Sequence, residues 1–240
     1  MRNQLILLID ENDESLNRFA KQFEIKWKSK DRSLNAHQII SISSVNSHNL
    51  KNEIDKNTRI ILLGHAYPLK RKDIFFKLQS NITVDTVAEK IKLLINEKVA
   101  GTFLNPVVIN LVMCFGGYAR NGESSIAENL YYALLSRKIS SKITARETSI
   151  LACPDGRKKT LPIQIQNEII EKTKKYNDSC VLSPNRARLF FEIAWLDRDK
   201  NYGHHLAHSK YTLFSTADTD GKIVIKKEYY EPTVNGHHPF

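Results

Sequence analysis

The chain has 240 residues, 41% of them apolar, enough to bury a sizeable core and too many for a disordered polymer. No apolar stretch approaches the roughly 20 residues of a membrane-spanning helix. Lysine and arginine number 36 against 26 acidic residues, and a net charge of +10 favours a polyanionic partner over a neutral one.

The opening "MRNQLILLID" holds an apolar run too short for a secretory leader, and acidic residues follow at once, so residues 4–10 read as a first, buried strand. Residues 11–27 carry acids first and then Leu16, Phe19, Ala20 and Phe23 at helical spacing, which predicts a helix. "HQIISISSV" (37–45) alternates as a strand does, and "RIILLG" (59–64) is a continuous apolar strand. Thr83 is placed to cap a helix over 83–98, with Val87, Ile91, Leu94 and Ile95 on one face. A buried strand follows at 106–114, a helix at 124–138 and a mainly extended segment at 142–152. Strands alternating with helices through residue 152 predict an α/β fold with a mostly parallel sheet, and unbroken apolar strands fit a sheet covered on both faces.

Beyond residue 153 the texture changes. "CPDGRKKT" is a basic turn, 163–176 reads as a helix, "RARLFFEIAWL" is apolar, and 210–230 reads as a β-hairpin turning at Asp218 to Gly221. The division expected is an α/β core over 1–160 and a C-terminal extension with a β-flap over 161–240, packed on the same domain. The three cysteines, Cys114, Cys153 and Cys180, match neither a zinc nor a disulfide spacing and point to a reducing compartment.

Two apolar strands end on reactive side chains. His65 follows Ile60–Gly64, and Cys114 follows Val107–Met113. In an open parallel sheet both lie on the C-terminal edge, where ligands and chemistry gather. An imidazole there can take the proton of a thiol or protonate a leaving amine. The "GG" after Phe115 offers backbone N–H groups to a developing oxyanion. Each residue alone is as well explained by a buried thiol or a polar strand cap; the pair at equivalent strand ends is what points to chemistry.

"ILLGHA" followed by "NLVMC" resembles the histidine and cysteine blocks of caspase-like (clan CD) cysteine peptidases. The likeness is greatest to the autoprocessing cysteine protease domains of the RTX and large clostridial glucosylating toxins. It runs over about residues 3–160, through "QLILLIDEND", "RIILLGHA", "NITVDTVAEKIKLL", "INLVMCFGG" and "ITARETSILACPDGRKKT", with His65 and Cys114 standing 49 positions apart. The resemblance implies a caspase-like sheet, Cys114 as nucleophile and His65 as the residue that orients the scissile bond and protonates the leaving group. Asp10, at the end of the first strand, either assists them or caps the helix. It also implies cleavage after leucine or another apolar residue in a protein substrate, either the chain itself or another protein. Activation would come from inositol hexakisphosphate, bound to a basic surface away from the cleft, where it orders a β-flap. Carried over by motif, Arg157, Lys158 and Arg59 would contact phosphates, with Lys159, Lys26 and Lys28 in the right segments. Lys222, Lys226 and Lys227 of the hairpin either face the same ligand or form a solvated edge.

The chain departs from that pattern in three places. It reads Gly-His-Ala where the family has Gly-His-Gly; Ala66 keeps an N–H, provided the backbone needs no positive φ. Met1 sits almost on the first strand, which leaves little room for a self-cleavage site upstream. "RARLFFEIAWLDRD" aligns with nothing in the family. His204, His205 and His208 lack the carboxylate of a zinc-protease set, so no metal is expected. The expected activity is that of a bacterial toxin or effector in host cytosol, with no specific nucleic acid as partner. The alternatives are a catalytically silent polyphosphate-binding module of the same fold, or another chemistry, such as acyl transfer, at the same cysteine.

Overall fold

The computed structural model describes residues 3–30, 37–45, 54–66, 82–95, 100–119, 123–148, 150–152, 158–196 and 209–230. In chain order its elements are β1 (Asn3–Leu8), α1 (Glu14–Lys30), β2 (His37–Ser41), β3 (Thr58–Leu63), α2 (Val84–Leu94), β4 (Val107–Val112) and α3 (Ile126–Ser136). There follow β5 (Ser141–Arg146), β6 (Ile150–Ala152), β7 (Lys158–Thr160), α4 (Ile163–Asp178), α5 (Pro184–Leu196), β8 (Lys210–Ala217) and β9 (Ile223–Tyr229).

Seven strands form one sheet in the order β2-β1-β3-β4-β5-β8-β9. The five strands from β2 to β5 run parallel, and β8 and β9 add an antiparallel edge. The expected mostly parallel α/β sheet is therefore present. The central strands are continuous apolar runs because both faces are covered. Leu5, Leu7, Ile60, Leu62, Ile109 and Leu111 pack with α2 and α3. Ile6, Leu8, Ile61, Leu63 and Val112 pack with Leu16, Ala20 and Phe23 of α1. The period-2 alternation of a strand sends neighbouring residues to opposite cores.

Local chemistry sets the helix starts. Thr83 accepts the N–H of Thr86, and Ser125 forms a reciprocal capping box with Glu128. Two expected elements break up. The 37–45 strand ends at Ser41, whose side chain caps a single 3-10 turn over Ile42–Ser44. The 142–152 segment is two strands, and the second, β6, leaves the main sheet to pair with β7 as a separate ribbon. The unaligned "RARLFFEIAWL" is α5, which packs on α4 through Lys172 and Glu192, 2.5 Å apart. The hairpin turning through Asp218 to Gly221 (φ 76°) is present, as the antiparallel edge of the main sheet. Among the described residues no helix is long and apolar enough to cross a membrane.

Candidate active site

The register of β3 and β4 puts Leu63 opposite Val112. His65 and Cys114 each stand two residues beyond that last pair, on neighbouring strands about 4.8 Å apart. The chain past β3 remains tied to β4, since Gly64 N–H donates to Val112 O at 3.4 Å. Both side chains are partly exposed, on the C-terminal edge of the parallel strands.

His65 is held from α1. Its Nε2 lies 3.0 Å from Asp13 Oδ2 and 3.1 Å from Ser15 Oγ. Asp13 is also the cap of α1: its Oδ1 accepts the N–H groups of Ser15 and Leu16 and the hydroxyl of Ser15. Burial raises the Asp13 carboxyl, but the Ser15 hydroxyl, the Leu16 N–H and the charge of His65 outweigh it, so the carboxyl sits below its ordinary value. The acid beside the histidine is thus Asp13 and not Asp10, whose Oδ1 accepts the N–H of Asn12 in the preceding turn. β1 ends early enough for a turn to bring the cap of α1 over the end of β3. The sequence signal was the capping pattern Asp13-Glu14-Ser15 before an apolar helical face.

Cys114 faces β6. Ile150 N–H points at Sγ from 3.3 Å, and the thiol reaches Ile150 O at 3.7 Å. An N–H aimed at sulfur stabilises negative charge there. Phe115 follows with φ 59°, a left-handed conformation that costs a side-chain-bearing residue about 1 kcal/mol or more. The two glycines do not offer N–H groups to an oxyanion: Gly116 donates to Met113 O and Gly117 to Arg146 O. They are glycine because space is lacking. A Cβ on Gly117 would stand 2.6 Å from the Tyr211 ring, and one on Gly116 would stand 2.8 Å from Met113 Cγ. Ala66 is buried and is not among the residues with positive φ, so its backbone carries no glycine requirement.

A second feature occupies the α1 face of the sheet. Arg59 and Arg146 alternate with core residues that face α2 and α3, and so point the other way. Lys210 is in register with Arg146 on the antiparallel neighbour. Lys158, on β7, lies with its ammonium 4.7 Å over the Phe23 ring of α1. Burial first, then repulsion from Arg146, Lys26, Lys210 and Arg59, pushes the Lys158 ammonium well below its ordinary value. Burial likewise lowers Arg146 to about 10. Burial, with Arg146 and Arg59 behind it, lowers Lys210 to about 8. Such a cluster of cations is costly without an anion.

The cluster brings together Lys158, Arg59 and Lys26 of the residues expected from sequence, and adds Arg146 and Lys210. Lys28 is exposed and paired with Glu24 at 2.7 Å. Lys159 sits on β7 without appearing among the cations that weigh most on Lys158. Lys227 is paired with Glu128 and Glu147, while Lys222 and Lys226 are exposed on the sheet edge. Arg157, Cys153, His204, His205 and His208 lie outside the described residues. Arg146 and Lys210 were missed because each reads as a lone cation at the end of a strand, the one closing β5 and the other opening β8; only their pairing in register joins them.

The lowered Lys210 value fixes a sign. The folded protein releases this proton near pH 8 and the unfolded chain near 10.4, so between those values the unfolded state holds more protons. The contribution of Lys210 to stability therefore rises with pH from about 8 to about 10.4. The thermal midpoint at low salt is expected to climb over that window in the wild type and to climb less in Lys210→Met. Equal slopes in the two proteins count against the assignment.

The family model of the peptidase C80 family matches residues 1–161. No curated protein matches the chain. Among solved structures the fold is similar to a secreted C11 cysteine protease from Bacteroides thetaiotaomicron, determined by X-ray in complex with an irreversible peptide inhibitor. Sequence identity is 8%, the TM-score is 0.39, and the alignment covers 89% of this chain and 66% of that one. The chain thus spans just under two thirds of that neighbour's length.

Proposed function

The chain belongs to the peptidase C80 family, cysteine peptidases of the caspase-like clan, and from that premise we propose that it is an endopeptidase with a Cys114–His65 dyad. The observation that carries this reading is the strand register, which puts a thiol and an imidazole at equivalent ends of adjacent parallel strands. In this scheme His65 takes the thiol proton, the sulfur attacks the scissile carbonyl carbon, and the same proton passes to the departing amine. Water then releases the acyl group from sulfur. Asp13 and Ser15 hold Nε2, which leaves Nδ1 as the nitrogen facing the reaction. Cleavage after leucine or another apolar residue follows from the family likeness.

The cationic cluster fits inositol hexakisphosphate, a compact polyphosphate whose charge would offset the repulsion among Lys158, Arg146, Lys210, Lys26 and Arg59. The β6–β7 ribbon offers a route from that ligand to the sulfur: Ile150 on one strand touches Cys114, and Lys158 on the other belongs to the cluster. On this reading the protein is a toxin or effector that becomes active in host cytosol, where the activator is found.

The test is thermal unfolding with and without inositol hexakisphosphate, run beside a thiol-directed activity probe. Ligand at 100 times its dissociation constant adds about 2.7 kcal/mol of stability. The expected result is a raised midpoint together with ligand-dependent labelling of Cys114. A raised midpoint without labelling would indicate a silent polyphosphate-binding module. No change in midpoint would leave the family fold and remove the activator.

A further inference from the structure

The family match ends at residue 161, yet the loop that follows Cys114 is fastened by a strand that lies beyond it. Tyr211 of β8 is fully buried. Its hydroxyl donates to Gly117 O at 3.0 Å and lies 3.0 Å from Ser125 Oγ. Ser125 Oγ already accepts the Glu128 N–H, so its own proton is free to go to the phenol oxygen. The result is a directed chain: Glu128 N–H to Ser125, Ser125 O–H to Tyr211, and Tyr211 O–H to Gly117 O. Such chains strengthen each member. Burial holds the phenol protonated far above neutral pH, which keeps it a donor.

The same glycine is held from the other side. Gly117 N–H donates to Arg146 O at 2.7 Å, and the Tyr211 ring fills the space a Cβ would need. Lys227 lies 4.1 Å over that ring and fixes its face. Gly116 O accepts the Ala127 N–H, and Phe115 N–H reaches Thr148 O. A left-handed phenylalanine next to the nucleophile persists only if its neighbours are over-determined, and Tyr211 supplies the one side-chain anchor to Gly117 found among the described residues.

We propose that Tyr211 is a positioning residue for Cys114, its hydroxyl setting the Phe115–Gly117 loop and hence the direction in which the sulfur faces His65. The proposal rests on the reading of Cys114 as nucleophile, and its test is chosen to survive failure of that reading. The variant is Tyr211→Phe, which removes the hydroxyl and keeps the ring against Gly117. The primary readout is the rate at which iodoacetamide alkylates Cys114 as a function of pH. It is followed by mass spectrometry of the Cys114 peptide so that exposed Cys180 does not interfere.

The expected result is a change of about threefold or more in the neutral-pH rate with a displaced profile midpoint. With a peptide substrate, kcat should fall about tenfold, the worth of one hydrogen bond of about 1.4 kcal/mol, while KM stays within twofold. An alkylation profile that overlays the wild type overturns the proposal. If the wild type hydrolyses no peptide, the peptidase reading fails and the alkylation profile still decides the role of Tyr211. Should Tyr211→Phe not fold, Tyr211→Met also removes the hydroxyl while filling the space of the ring; an alkylation profile that overlays the wild type there overturns the proposal equally.

Discussion

Cys114→Ala is expected to lower peptide cleavage by about 10⁴-fold or more while the thermal midpoint moves by no more than a few degrees. Loss of a nucleophile removes the covalent path altogether, and what remains is the small rate enhancement from binding. The fold should tolerate the change because Cys114 is only partly buried and its sulfur contacts the backbone of a short ribbon. Turnover of a fluorogenic peptide and a circular-dichroism melt on the same sample measure both arms. Activity equal to wild type in the variant would take Cys114 out of the mechanism, whatever the register of the strands.

The second large effect lies at the cationic cluster, and it carries two opposite signs. Arg146→Ala with Lys158→Ala should abolish most of the stabilisation by inositol hexakisphosphate, the term put above at about 2.7 kcal/mol under near-saturating ligand. Without ligand, the same variant should be at least as stable as the wild type, since it removes two of the charges that repel one another in the cluster. For a chain of this size, 1 kcal/mol corresponds to about 2–4 °C in midpoint. A ligand-induced shift equal to that of the wild type would place the polyphosphate elsewhere. A strongly destabilised apo variant would mean that Arg146 and Lys158 hold the fold together by packing.

The sheet was legible because its signal is redundant: three continuous apolar runs, an alternating strand and a mainly extended segment, set between amphipathic helices and polar turns, admit few alternatives. The placement of His65 and Cys114 at strand ends was legible for the same reason, since each follows a run too apolar to be anything but a central strand. What escaped depends on partners distant in sequence. Asp13 looks like an ordinary helix cap until the turn after β1 carries it to the end of β3. The glycines after Phe115 suggested an oxyanion site, but their N–H groups serve the protein; the small size of Gly116 answers to Met113 close by, and that of Gly117 to Tyr211, nearly a hundred residues later. The hairpin at 210–230 was recognised, but its place in the main sheet was not. A β-hairpin pattern records which two strands pair, and it is silent on the third strand they join.

The place of β8 beside β5 also has a meaning in time. A ribosome adding roughly 5–20 residues per second delivers Tyr211 about 5–20 s after Cys114, since 97 residues separate them. Through that interval a nascent chain can hold its thiol and imidazole on the central strands, yet it lacks the strand that closes the sheet and pins the loop behind the sulfur. On the role proposed for Tyr211, the reactivity of the thiol thereby waits on synthesis of β8 as well as of the central strands.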